Sequence, residues 1–215
     1  MARFEFWIVA GPNGAGKTTL VQTQPIRDLL PHVRFLNPDD HARALLVQRG
    51  HRGFADAPAP ILQQAFLDAA NAVEGELQTA LRRGEAVGVE TVLSSGKYQP
   101  LVDLVRGRGG YVGLIYVALA SPELACARVG RRVQAGGHDV PAAKIIARWR
   151  RSFANLAWFA AHASAFWVFD NSDENPEVPP RLMAAGQSGA LDFLESSAGD
   201  ALRTSLRSLP RIQIS

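Results

Sequence analysis

The stretch Gly11–Thr18, with the sequence GPNGAGKT, constrains this chain more than any other part of it. It matches the pattern G-x-x-x-x-G-K-[ST] at every defined position, and the apolar run FEFWIVA precedes it. Glycines at these positions let the main chain wrap closely around an anion, so that its N–H groups and the start of the next helix point at phosphate oxygens. The sequence therefore predicts a strand, a phosphate-binding loop and a helix that together bind ATP or GTP with Mg²⁺.

The residues of this loop have separate expected roles. We expect Lys17 to reach the β- and γ-phosphates and the Thr18 hydroxyl to be a ligand of Mg²⁺. The predicted nucleotide-binding residues of the loop are Gly11, Pro12, Asn13, Gly14, Ala15, Gly16, Lys17, Thr18 and Thr19. ATP and Mg²⁺ are thus the predicted cofactors.

The rest of the chain indicates an α/β fold. Apolar runs rich in aromatic and β-branched residues alternate with helical patterns, which is typical of a parallel sheet covered by helices. Strands are predicted at about 4–10, 33–36, 86–92, 111–119 and 165–170. We predict a P-loop NTPase (kinase-like) fold, a three-layer α/β/α arrangement with a mainly parallel five- or six-stranded sheet and an arginine-rich helical lid. The domain is predicted to cover 1–198, with a last helix near 190–195, followed by a loosely attached tail at 199–215.

Acidic residues follow two of the predicted strands. Ligands of an open parallel sheet bind beyond the carboxyl ends of its strands. Asp39 and Asp40 follow the second strand, and Glu90 and Thr91 end the third. An acid beside a γ-phosphate can accept a proton from an attacking hydroxyl or position Mg²⁺. For Asp39 the alternative is a helix N-cap, whereas Glu90 lies in a valine-rich strand where an unpaired carboxylate is costly.

Positive charge is concentrated in one segment. The net charge of the chain is +3, but the segment from Arg128 to Arg151 holds seven basic residues and one acid, a net of +6, so the remainder sums to −3. Arg128 and Arg132 share one helix face, and Arg148 and Arg151 share another beyond the sequence GGHDVP. Two basic helix faces joined by a glycine turn are typical of a lid over phosphates; a solvated helix face is the alternative. His138, within that turn, is expected either to contact the substrate or to lock the turn.

Composition limits the compartment and the partners. A single cysteine, Cys126, excludes an internal disulfide, and no apolar run approaches the roughly 20 residues that cross a bilayer. The first residues lack the regions of a signal peptide. We therefore expect a cytoplasmic protein with no membrane contact. Nucleic-acid binders usually spread positive charge along a face, whereas here it is concentrated in one segment, so we do not expect nucleic acid as a partner.

Five stretches resemble the zeta toxins and their P-loop kinase relatives, namely GPNGAGKTT, FLNPDD, VETVLSSGKY, ARVGRRVQAGGHDVPAAKIIARWRRSFANL and DNS at 170–172. The resemblance implies transfer of the ATP γ-phosphoryl group to a hydroxyl of a nucleotide sugar, typically UDP-N-acetylglucosamine, and a possible antitoxin protein as partner. It implies that Asp39 activates the acceptor hydroxyl. It also implies that Glu90, with Thr91, lies on the substrate and metal side. Arg132 and Arg148 match the arginines that hold the γ-phosphate, and Arg128 and Arg151 are the alternatives for these roles.

Two other functions are compatible with parts of the sequence. Leu93–Lys97, LSSGK, resembles the LSGGQ signature of ABC-type ATPases, but the fourth strand does not end in the acids that such ATPases use. A nucleotide-dependent binding module, with the arginines contacting RNA, is the second alternative. The placement of the acids favours transfer to a hydroxyl over ATP hydrolysis. The aromatic platforms typical of RNA-binding modules are absent from the sequence, and the basic residues fit a phosphate lid as well.

Overall fold

A seven-stranded sheet organises the molecule. The computed structural model describes residues 4–22, 24–175 and 177–211. The strands are β1 (Glu5–Ala10), β2 (Arg34–Leu36), β3 (Val87–Thr91), β4 (Tyr111–Ala118), β5 (Ala165–Asp170), β6 (Arg181–Gln187) and β7 (Ala190–Leu194). Their order across the sheet is β2-β3-β1-β4-β5-β6-β7, and the first five pair in parallel. The carboxyl ends of β1 to β5 therefore meet at one edge, with β1 and the glycine-rich loop between β3 and β4.

Helices connect the strands. They are α1 (Lys17–Gln22), α2 (Gln24–Leu29), α3 (Pro38–Gln48), α4 (Ala59–Arg82), α5 (Gln99–Gly107), α6 (Pro122–Gln134), α7 (Ala142–His162) and α8 (Asp200–Leu206). Among the described residues, no helix is both long and apolar enough to span a lipid bilayer.

The two faces of the sheet are covered unequally. In β1, Phe6 and Ile8 face the main core, to which α4, α5, α7 and α8 contribute buried side chains. Trp7 faces the opposite side, where apolar residues of α1 and α2 pack against it. Side chains along β1 alternate between the two faces of the sheet, and helices pack against both faces. The predicted three-layer α/β/α architecture is therefore confirmed.

The C-terminal region differs from its sequence-based prediction. Residues 190–194 are not a helix but the edge strand β7, paired antiparallel with β6, so that the sheet has seven strands instead of five or six. The cause is the two-residue turn Ser188–Gly189, in which both φ angles are positive, 51° and 76°. That turn matches the twist of a hairpin, and Ser-Gly supplies it at low cost.

The segment beyond residue 198 packs on the domain. Leu202 and Leu206 of α8, and Leu209 after it, are buried in the main core, and α8 contacts α7. The described part of this segment is therefore not loosely attached. The boundary predicted at 198 itself stays a prediction.

Candidate active site

The glycine-rich loop has a conformation that only glycine can adopt at its key positions. Gly11, Gly14 and Gly16 have φ angles of 144°, 75° and 87°. A Cβ on Gly11 would lie 2.1 Å from the main-chain oxygen of Val117, and one on Gly16 would lie 2.6 Å from Nδ2 of Asn171. Gly11 and Gly16 thus allow a close approach of the loop to β4 and to the loop after β5, and Gly14 packs against α6. The loop is shaped to hold phosphate.

Lys17 lies at the centre of the site. Its Nζ donates hydrogen bonds to the main-chain oxygens of Gly11 at 2.8 Å and Pro12 at 3.0 Å. Burial lowers the pKa of Lys17 to about 8, whereas the nearby carboxylates of Glu90 and Asp39 act to raise it. The cations of Arg132 and Arg148 act in the same direction as burial. Two acids and two arginines from four different segments therefore act on the charge of this ammonium group.

Glu90 and Thr18 form a pair beside the lysine. The Thr18 hydroxyl donates a hydrogen bond of 2.7 Å to Oε2 of Glu90, and the Glu90 residue is only 7% exposed. Burial raises the pKa of Glu90, and the hydrogen bond from Thr18 and the charge of Lys17 oppose this effect. The side chain of Asn37 also acts to lower the pKa of Glu90. The carboxylate is thus hydrogen-bonded, as expected because an unpaired carboxylate buried in a valine-rich strand would be costly.

Asp39 lies in the first turn of α3 and does not cap it. The N-cap is Asn37, whose Oδ1 accepts a hydrogen bond of 2.9 Å from the main-chain N–H of Asp39. The Asp39 side chain is therefore not used by the cap, and it is exposed. Its negative charge acts to raise the pKa values of Lys17, Arg148 and His138.

The basic helices α6 and α7 form the other wall. They pack together with Ala15 of the glycine-rich loop and with Val117 and Leu119 in one apolar cluster. Arg148 is half-buried, and burial lowers its pKa while Asp39 opposes the shift. Arg132 donates from Nη2 to the main-chain oxygen of His138 at 3.1 Å. Its Nε is buried and has no hydrogen-bond partner among the described residues.

Three other predicted site residues have different surroundings. Arg128 donates a hydrogen bond of 2.6 Å from Nη2 to the main-chain oxygen of Asp173, beside the glycine-rich loop. Arg151 is exposed. The Thr91 hydroxyl accepts a hydrogen bond of 3.1 Å from the main-chain N–H of Leu93 and so closes the turn after β3. The structure thus brings Asp39, Glu90, Arg132 and Arg148 together around Lys17, and their individual roles stay predictions.

Sequence reasoning singled out Asn171 only as part of the stretch DNS and did not predict the side-chain contacts that hold these loops in place. Asn171, after β5, donates from Nδ2 to the main-chain oxygen of Ala15 at 2.9 Å. Trp149 donates from Nε1 to the main-chain oxygen of Leu119 at 3.0 Å. Asn155 donates to the main-chain oxygen of Leu93 at 2.9 Å. Each contact joins segments far apart in the sequence, and the only local signal was the position of Asn171 directly after a strand.

The oxygen atoms of this site suit Mg²⁺, which binds partly to phosphates and water, better than a metal ion that is held by protein side chains alone. The described parts of the chain contain no group of three or more His, Cys, Asp or Glu side chains placed to hold a metal ion. Mg²⁺ commonly binds through one or two protein oxygens together with substrate phosphates and water. The Thr18 hydroxyl and the Glu90 carboxylate, already in contact, are such a pair.

Comparisons with known proteins agree with this fold. The sequence model of a family described as "AAA domain" matches residues 6–156. The fold is that of a P-loop kinase-like domain. The chain belongs to that AAA domain family, since the match covers more than half of it. A search of curated proteins found no significant match.

Solved structures show the same fold at low sequence identity. The complex of AvrRxo1-ORF1 with AvrRxo1-ORF2 and ATP superposes with a TM-score of 0.70 at 15% identity, covering 100% of this chain. This chain spans 66% of that one, slightly under two thirds of its length. The PezAT chromosomal toxin–antitoxin system of Streptococcus pneumoniae superposes with a TM-score of 0.57 at 15% identity, covering 80% of this chain and 71% of that one.

Proposed function

We propose that the protein is an ATP- and Mg²⁺-dependent kinase that transfers the γ-phosphoryl group to a hydroxyl of a small acceptor. The observation that supports this best is the surroundings of Lys17, whose ammonium group is influenced by two carboxylates and two guanidinium groups at once. Phosphoryl transfer needs this combination, because cations must neutralise the charge of the transferred group while a carboxylate orients the nucleophile. Hydrolysis by an ABC-type enzyme would need acids at the end of β4, where the sequence continues as Leu119-Ala120-Ser121.

The reaction assigns a role to each side chain. The Asp39 carboxylate accepts the proton of the acceptor hydroxyl, and that oxygen forms the new bond to the γ-phosphorus. The bond between the γ-phosphorus and the bridging oxygen breaks, and its electron pair leaves with ADP. Lys17, Arg132 and Arg148 balance the negative charge of the transferred group.

Glu90 and Thr18 support this reaction at the metal. The Thr18 hydroxyl and the Glu90 carboxylate would hold Mg²⁺ together with the β- and γ-phosphates. When bound, Mg²⁺ neutralises phosphate charge. The raised pKa of Glu90 reflects its burial, and a cation beside it would stabilise the charged carboxylate.

The acceptor class follows from the resemblance to zeta toxins. A nucleotide sugar such as UDP-N-acetylglucosamine is the proposed acceptor, and nicotinamide dinucleotides are the second class to test. One structural neighbour is named as AvrRxo1-ORF1:-ORF2 with ATP, and the other belongs to the PezAT chromosomal toxin–antitoxin system. We therefore also propose an antitoxin-type protein as a partner, and cytoplasmic location follows from the same proposal.

The test is a mass-spectrometric screen of nucleotide sugars and dinucleotides incubated with ATP, Mg²⁺ and the protein. We expect a product heavier by one phosphoryl group, and a loss of about 10²–10⁴-fold in rate with Asp39→Asn because the base is removed. ATP binding should be retained by that variant. Asp103→Asn, an exposed acid on α5, is the matched control and should keep the wild-type rate.

Two results would contradict the proposal. Full transfer activity in Asp39→Asn would exclude Asp39 as the base. Rapid ATP hydrolysis with no acceptor phosphorylated in the screen would favour the ATPase.

A further inference from the structure

The loop between the two basic helices touches the opposite wall of the site. Residues 135–141 connect α6 to α7, and His138 projects from this loop. Its ring centroid lies 4.1 Å from that of Phe66 on α4 and 5.6 Å from that of Phe54, in the segment between α3 and α4. Phe54 and Phe66 are themselves stacked, with centroids 5.4 Å apart. We call these two rings the aromatic pair.

The aromatic pair belongs to the apolar cluster between α3 and α4. Phe54 is buried with Ala42 and Leu46 of α3 and with Ala65 and Ala69 of α4 in one apolar cluster. Asp39 lies in the first turn of α3, one of the two helices that form this cluster. A contact of His138 with the aromatic pair thus joins the lid to the wall that carries the proposed base.

The same loop also holds Arg132. The main-chain oxygen of His138 accepts the hydrogen bond from Nη2 of Arg132. Gly137 packs so closely that a Cβ there would lie 2.6 Å from Cγ of Arg132 and 2.8 Å from its main-chain oxygen. Arg132 is therefore wrapped by the loop on one side, while its buried Nε has no protein partner within the described ranges.

The His138 ring is held mainly by packing. Within the described residues its buried Nδ1 has no hydrogen-bond partner. Burial lowers the pKa of His138. The charges of Asp39 and Asp139 act to raise this pKa, whereas those of Arg132 and Arg148 lower it further. The ring is thus neutral at neutral pH, as its apolar contacts require.

We propose that His138 is a positioning residue: by docking on Phe54 and Phe66 it holds the lid loop closed against the helix pair α3–α4, and its main chain thereby fixes Arg132 toward the transferred phosphoryl group. The kinetic part of this inference rests on the proposed kinase function. The structural part, that the ring secures the loop, does not.

Two measurements on the full chain test both parts. Hydrogen exchange followed by mass spectrometry reports the protection of residues 131–141 without substrates. Steady-state kinetics with the acceptor found in the screen reports kcat and the KM of ATP. With His138→Ala we expect faster exchange in this segment and a fall of about 10–100-fold in kcat with a nearly unchanged KM of ATP, because a guanidinium displaced by about 1 Å loses transition-state contact.

A conservative variant separates packing from ring chemistry. His138→Phe keeps an aromatic ring on the aromatic pair and should retain wild-type protection and most of kcat. His162→Ala is the matched control, since His162 stacks on Trp158 at 4.0 Å near the end of α7. It should change neither the exchange of 131–141 nor kcat.

The outcomes distinguish the two proposals. Wild-type exchange and kcat in His138→Ala would overturn the inference, and so would a His138→Phe variant as impaired as His138→Ala. Should no acceptor be phosphorylated at all, the proposed function fails, yet the exchange data still decide whether His138 secures the loop.

Discussion

The ammonium group of Lys17 illustrates how the site is prepared before any ligand arrives. It is buried, with two main-chain oxygens as hydrogen-bond acceptors, and its pKa is lowered from 10.5 to about 8. Phosphate groups would stabilise its charged form. A lysine whose pKa rises when its ligand binds couples ligand binding to proton uptake.

This coupling gives a prediction about ATP binding. At about pH 9 the free protein has mostly neutral Lys17, so binding of ATP should take up a fraction of a proton, and affinity should fall as pH rises through 8. Titration calorimetry in buffers of different ionisation enthalpy measures this uptake. Lys17→Arg, which stays protonated, should show no such uptake. Equal heats in all buffers for the wild type would contradict the lowered pKa.

At the scale of secondary-structure elements, the C-terminal helix is part of the core. Leu206 of α8 is 1% exposed and packs in the main cluster with residues of α4, α5 and α7. Arg203 of α8 donates from Nε to the main-chain oxygen of Ala198 at 2.7 Å, which ties the start of the helix to its own loop. The helix therefore supports α7, the longer of the two basic helices.

The contribution of α8 is measurable as stability. Leu206→Ala should lower the free energy of unfolding by about 2–5 kcal/mol, since a buried leucine is lost and a cavity remains. Leu29→Ala is the control, because Leu29 is 71% exposed and its loss should cost less than about 0.5 kcal/mol. Urea unfolding compares the two variants. Similar values for both would show that α8 adds little to the core.

At the scale of the whole molecule, the site is assembled from four segments that meet at one edge of the sheet. The glycine-rich loop follows β1, Asp39 follows β2, Glu90 ends β3, and the lid follows β4. A ligand that contacts several of these segments links them only in the folded state. Binding should therefore stabilise the fold as a unit.

We expect Mg²⁺ and ATP at about 100 times the dissociation constant to add about 2.7 kcal/mol of stability. For a chain of this length that corresponds to a rise in Tm of about 5–10 °C. Thermal unfolding followed by circular dichroism measures it. Lys17→Ala should lose most of the shift, and Glu90→Gln should lose the part that depends on Mg²⁺. A full shift in Lys17→Ala would remove this loop from the nucleotide site.

The success of sequence reasoning depended on the range of each interaction. The strand, loop and helix of the glycine-rich segment were predictable because their pattern is local. The positions of Asp39 and Glu90 at one edge of the sheet were predictable because the ends of parallel strands share an edge, and their roles stay predictions. The hairpin was missed because the residues of β7, ALDFL, are too few to separate a helix from a strand. The contact of His138 with Phe66 joins residues far apart in the chain, and no local pattern encodes it.

The tight fit of Gly11 against Val117 has a mechanical consequence. With only 2.1 Å between a hypothetical Cβ and the carbonyl of β4, the phosphate cradle cannot slide relative to the central strands without separating them. In the proposed kinase, movements that accompany turnover would then be confined to the basic helices α6 and α7 and to the helix pair α3–α4. The glycine-rich loop would act as a fixed frame, and substrate entry and product departure would depend on the parts facing it.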